Sequence, residues 1–169
     1  TAEGDIRGIY GSQYSPNYTG AILELLIKAG YRHEEPIRSG LRWLLNMRQD
    51  DGGWAVPLRT HKGNLYTILV DKPPVESLRS KPSSHLATGC VLRAFAAHPD
   101  YCSEPAVQAA GSWLASRLLK ADHYPDRRGV EYWTRFSFPF WFTDLISALD
   151  SLSRLGFPPD QPDIRQGLD

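Results

Sequence analysis

Cysteine is scarce: only Cys90 and Cys102 occur in 169 residues. Two thiols are too few for a disulfide framework, which argues against the small stapled secreted folds and fits a reducing, cytoplasmic compartment. An excess of charge of either sign is also missing. Lys+Arg and Asp+Glu number 19 each, no basic block stands out, and attraction of nucleic acid or an anionic membrane by clustered cations is not expected. No apolar run approaches the roughly 18 residues of a membrane span, and residues 1–15 contain no signal-peptide core. The first residue is Thr rather than Met, so a natural start further upstream is expected. What remains is an ordinary soluble composition, long enough for one domain with a sizeable core.

Internal repetition organises the chain. The segment ILELLIKAGY at 22–31 matches ALDSLSRLGF at 148–157, with Leu23, Leu26, Gly30 and Tyr31 recurring as Leu149, Leu152, Gly156 and Phe157. After each comes a second helix start, IRSGLR at 37–42 and IRQGLD at 164–169. A looser middle copy has TGCVLRAF at 88–95 for TGAILELL at 19–26, with Glu104 and Pro105 following Glu35 and Pro36 at the same offset of 69. Proline suits a helix start, where its missing N–H would be unpaired in any case.

Each copy therefore reads as an apolar inner helix, a short connection and an amphipathic outer helix, over about 17–54, 83–120 and 141–169. Ile22, Leu23, Leu25, Leu26 and Ile27 leave the first inner helix little polar face, so burial on most sides is expected. In the first outer helix, Ile37, Leu41, Leu44 and Leu45 share one face, with Arg38, Arg42, Asn46 and Arg48 largely on the other. The third copy stops inside its outer helix, so the sequence reads as a fragment of a longer repeat protein. Two connections, about 55–82 and 121–139, exceed the usual loop length and are expected to serve function. The first contains LYTILV at 65–70, a candidate strand or hairpin arm.

RQDDGGW, residues 48–54, follows the first outer helix. Asp50, Asp51, Gly52 and Gly53 tolerate left-handed dihedrals and end the helix; Gln49 is expected to bond the carbonyls of its last turn; Trp54 offers a flat surface for a neighbouring helix end. This string resembles the QW motif of the squalene cyclase and protein prenyltransferase β-subunit superfamily. That resemblance implies an all-α fold, an α/α toroid of inner and outer helix pairs, present as a partial ring with long inter-repeat loops. It also implies a structural role for Gln49, Gly52, Gly53 and Trp54.

The superfamily's chemistries leave few traces. The Asp-x-Asp-Asp string by which cyclising members protonate an alkene is absent. The Asp, Cys and His set that holds zinc in prenyl transfer lacks its spacing, although His85 stands near the start of an inner helix about two positions out of register. No cofactor is expected; zinc is the one metal the resemblance brings up. The Gly-Cys-Gly-Glu-Gln string of the thioester toroids, phosphate loops and nucleophile elbows are also missing.

WTRFSFPFWFTDLISAL at 133–149 supplies a candidate pocket. It brings Trp133, Phe136, Phe138, Phe140, Trp141 and Phe142 to the mouth of an inner helix expected to begin near Thr143 and to carry Asp144 in its first turn. Two readings stand side by side. Asp144 stabilises a helix start and the aromatics pack between repeats, or Asp144 faces a cavity whose aromatic walls hold an apolar, isoprenoid-like ligand and steady a carbocation. Asp144 and His85 are the catalytic candidates. Arg59, His61, Lys62, Arg79 and Lys81 read either as a solvated loop or as a diphosphate-binding rim. The partner expected is an apolar small molecule or, in the alternative of a non-catalytic helical repeat, a peptide or protein on its concave face.

Overall fold

The computed structural model describes residues 1–8, 11–61, 73–126, 128–135 and 142–169. Among these, the chain forms seven α-helices and no strand, so the protein is all-α over the described residues. They are α1 (Pro16–Leu26), α2 (Glu35–Asn46), the single turn α3 (Pro57–Thr60), α4 (His85–Ala97), α5 (Pro105–Ala115), α6 (Leu145–Arg154) and α7 (Pro162–Leu168). The candidate strand at 65–70 lies outside the described residues.

Helix starts follow the prolines: Pro16, Pro36, Pro57, Pro105 and Pro162 each sit at the first or second helical position. Stops follow glycine where the chain must turn left-handed. Gly30 and Gly156, equivalent in the repeats, adopt φ of +99° and +86° just past α1 and α6. After α6, the Phe157 N–H returns to the Leu152 carbonyl at 3.0 Å, closing the last turn.

The middle row of helices is α1, α4 and α6, with α4 packed between the other two; α2, α5 and α7 each pack on the preceding member of that row. Two glycines permit this close approach. A Cβ on Gly20 of α1 would lie 2.7 Å from the Val91 Cα of α4, and one on Gly89 of α4 would lie 2.2 Å from the Thr143 side chain just before α6. Gly20 and Gly89 hold the same place in their repeats, and each leaves room for the next element, backbone in the first case and a threonine side chain in the second. Glu24 and Arg93, also equivalent positions, form an ion pair between α1 and α4 at 3.0 Å, with side chains 13% and 7% exposed.

Burial tracks the number of neighbours. Every residue of α4 from His85 to Ala96 is buried, because helices flank it on both sides. The first inner helix is less enclosed than its sequence suggests: Leu25 is 51% exposed, and Tyr31 just beyond the helix is 55% exposed. Among the described residues, α1 has a middle-row neighbour on one side only. Leu23, Leu41, Leu44, Trp54, Leu92, Phe95, Leu114 and Leu152 form the continuous core under these helices. Each such side chain contributes roughly 1.5–3 kcal/mol on burial.

Candidate functional site

The corner at residues 48–54 is built from its backbone outward. Gln49 N donates to Gly53 O at 2.9 Å and Gly52 N to Gln49 O at 3.0 Å. Gly52 takes φ +98°, and at Gly53 a Cβ would meet Thr88 Oγ1 at 2.7 Å. Only glycine fits either position without strain.

The side-chain partners differ in part from those expected. Gln49 does not bond its own helix end; its amide nitrogen donates to the carbonyls of Leu78 and Lys81, both at 2.9 Å, and its oxygen accepts from the Ser77 hydroxyl. The last-turn carbonyl goes instead to Trp54, whose indole N–H donates to Leu44 O at 2.7 Å. The ring is fully buried and stacks on Phe95 with centroids 5.9 Å apart. Trp54 N donates to Thr88 Oγ1 at 2.9 Å, and Trp54 O accepts from Ser84 N at 2.8 Å, so the corner is tied both to the outer helix behind it and to the inner helix ahead. Asp51 accepts from Ser83 N at 2.9 Å and from the Ser83 hydroxyl, which makes it an anchor. Asp50 is exposed.

Trp133 occupies a second corner of this kind. Its indole N–H donates to Lys120 O at 2.8 Å, beyond the end of α5, and its carbonyl accepts from Leu145 N at 2.9 Å, at the start of α6. The side chain is 1% exposed. The residue read as a pocket wall thus has its polar edge committed and no open face. Phe136, Phe138, Phe140 and Trp141 lie outside the described residues, and Phe142 is half-buried.

His85, the first residue of α4, packs against Trp133 with ring centroids 4.4 Å apart. Its Nδ1 stands 3.2 Å from Asp122 Oδ2, but off line for a good hydrogen bond. Asp122 is itself held at the α4 N-terminus: Oδ2 accepts from Ser84 Oγ at 2.8 Å and Leu86 N at 3.3 Å, and Oδ1 from Tyr124 N at 3.2 Å. Both side chains are nearly fully buried. Desolvation outweighs the attraction of Asp122 and lowers the His85 pKa from 6.5 to about 4, with Arg117 and His123 adding to the drop. The imidazole is therefore neutral at pH 7. Burial likewise pushes the Tyr124 hydroxyl up to about 12, with Asp122 and Asp51 acting in the same sense. Asp122 was not singled out in the sequence; the available signal was an acidic residue just past an outer helix, the place Asp51 holds in the preceding repeat.

Asp144 is the N-cap of α6 rather than a first-turn residue. Its Oδ1 accepts from Ser147 N at 2.8 Å, while Ser147 Oγ accepts from Asp144 N at 3.1 Å, a reciprocal capping box. Thr143 does not cap; its hydroxyl donates to Leu86 O at 2.8 Å and joins α6 to α4. Hence the structure places His85 and Trp133 in contact and Asp144 in a separate role.

In the first long connection, Arg59 pairs with Asp126, Arg79 donates to Asn46 O, and the His61 ring contacts Glu76 O at 2.8 Å. Lys62 lies outside the described residues. Among the described residues no three His, Cys, Asp or Glu side chains converge as a metal site. Cys90 is a buried free thiol whose pKa is raised by burial, and Cys102 is a half-buried one. No described helix is long and apolar enough to cross a membrane. No protein-family model, curated protein or solved structure matches the chain.

Proposed function

We propose that the chain is a helical-repeat domain of the terpenoid cyclase and prenyltransferase kind, an α/α toroid wall in which α1, α4 and α6 are inner helices and α2, α5 and α7 outer ones. Its inner surface, together with the aromatic stretch around Phe136, Phe138 and Trp141, takes an apolar, isoprenoid-like ligand. The observation that carries this reading is the recurrence of one tryptophan corner: Trp54 and Trp133 each cap the carbonyls behind an outer helix and receive the start of the next inner one. Corners of that type join successive helix pairs, and the aromatic residues that the sequence supplies at 136–142 suit a flexible hydrocarbon.

A second reading has its own support. The carboxylate of Asp144 is spent in a capping box and His85 is enclosed beside Asp122, so neither candidate faces open space as a proton donor must. On that reading the domain binds a peptide or protein without catalysis. Native mass spectrometry of the protein purified from its own cells separates the two. A retained lipid whose mass is lost in a Trp141→Ala variant supports the isoprenoid reading. A lipid-free protein carrying a stoichiometric peptide or protein overturns it in favour of the second.

A further inference from the structure

Trp54 fastens the start of α4; at the other end of that helix His98 joins it to the α1–α2 connection. His98 is the C-cap of α4, and its backbone N–H donates to Phe95 O at 3.0 Å. The imidazole is 3% exposed and stands edge-on to the Tyr101 ring, with centroids 5.0 Å apart. Its Nε2 lies 3.2 Å from the Arg32 carbonyl, just beyond the end of α1. A carbonyl only accepts, so the single proton of the neutral ring sits on Nε2. Nδ1 is then a bare lone pair, and it is buried with no hydrogen-bond partner among the described residues. It faces a second acceptor, Asp100 Oδ2, at 4.0 Å.

A ring with one N–H is thus set between two acceptors. A buried lone pair that meets no donor is unfavourable, whereas the imidazolium donates from both nitrogens and matches both neighbours. The end of α4 acts in the same sense, because the helix dipole favours a cation at its C-terminus. Asp100 is 76% exposed, so its side chain can turn through the remaining distance without leaving a packed site. The other titratable groups around the ring are accounted for. Cys102 donates from Sγ to His98 O at 3.7 Å, and burial raises its thiol pKa and keeps it neutral. Arg32 and His33 of the connection bond each other, Nε to Nε2, at 2.9 Å. Arg42 of α2, which feels the Tyr101 hydroxyl, pairs with Glu35 at 2.5 Å, and Glu104 precedes α5 with its N–H on Tyr101 O.

We propose that His98 is an acid-closed latch: a proton taken from solvent at Nδ1 draws the Asp100 carboxylate in, strengthens the bond to Arg32 O, and fastens the end of α4 to the α1–α2 connection. The added stabilisation is present in mild acid and lost as pH rises. That sense is the reverse of His85, whose burial disfavours the charged ring.

The test uses the intact chain labelled with nitrogen-15. Ring nitrogen shifts of His98 are expected to show a proton on Nε2 alone at about pH 7.5 and on both nitrogens at about pH 5.5. Over the same interval, amide-exchange protection of His98, Tyr101 and Cys102, normalised to the intrinsic rate at each pH, is expected to rise about three-fold, the size of one exposed charge pair. Asp100→Ala, which alters only an exposed side chain, is expected to remove that rise, as is His98→Gln; if the second variant does not fold, the ring shifts and the Asp100 variant still decide. A neutral ring that carries its proton on Nδ1, protection that stays level or falls in acid, or a rise of equal size in Asp100→Ala overturns the proposal.

Discussion

Replacing Trp54 with phenylalanine tests the corner at its centre. The indole is fully buried and its N–H donates to Leu44 O at 2.7 Å. Leu44 O also accepts from Met47 N at 3.0 Å, so the substitution does not orphan the carbonyl, and the larger penalty for an unsatisfied buried group does not apply. What is lost is one net hydrogen bond, about 1 kcal/mol, and the packing of the deleted ring atoms against Phe95, about 1–2 kcal/mol with the small cavity left behind. The total is about 2–3 kcal/mol, which for a chain of this size lowers Tm by roughly 4–12 °C. Urea unfolding at pH 7.5, monitored by far-ultraviolet circular dichroism, reads this directly. A loss below about 0.5 kcal/mol, the level of an ordinary surface substitution, would refute the view that this indole ties α2 to α4.

Trp133→Phe is expected to cost about 2–3 kcal/mol as well, since its indole is equally committed to Lys120 O; unchanged stability with altered ligand retention would restore it to a pocket wall. The His85 pKa is depressed to about 4 in the fold, so its contribution to stability is complete above its unfolded value near 6.5 and is lost as pH falls towards 4. Relative to a His85→Gln variant, the native protein is expected to lose on the order of 2 kcal/mol between pH 7.5 and 5, and parallel urea-unfolding curves for the two proteins would contradict the enclosed, neutral imidazole. Gly20→Ala sets a Cβ 2.7 Å from the Val91 Cα, a backbone contact that cannot swing aside; overpacking of about 2–3 kcal/mol, less about 1 kcal/mol of helix propensity regained, leaves a net loss of about 1–2 kcal/mol. Gly11→Ala, with no described residue within 4 Å of its added methyl, serves as the near-neutral control in the same assay.

The helical class was legible because helix periodicity and proline placement are local properties, carried by the residues that form the helix. The left-handed turn after α2 was legible for the same reason: Gly52, read as tolerating such dihedrals, takes φ of +98° without help from elsewhere. Partners distant in sequence were not. Gln49 reaches Leu78 and Lys81 across a long connection, and nothing near Gln49 specifies that loop's return. Trp133 was read with the aromatic stretch that follows it because no Gly-Gly turn announces a corner there, whereas Gly52 and Gly53 announce the one before Trp54. Asp122 escaped attention because its role depends on Ser84 and Leu86, brought to it only by the packing of α4.

The Thr88 hydroxyl, which closes a two-way bond with the Trp54 backbone, has a mechanical corollary. A joint fastened by hydroxyl, amide and indole dipoles carries no net charge, so dissolved ions have nothing there to screen and protons nothing to titrate across the physiological range. Brine that weakens the surface pair of Lys28 and Glu24 leaves such hinges at full strength. The skeleton can thus hold its shape through swings in salinity while its outer charges come and go.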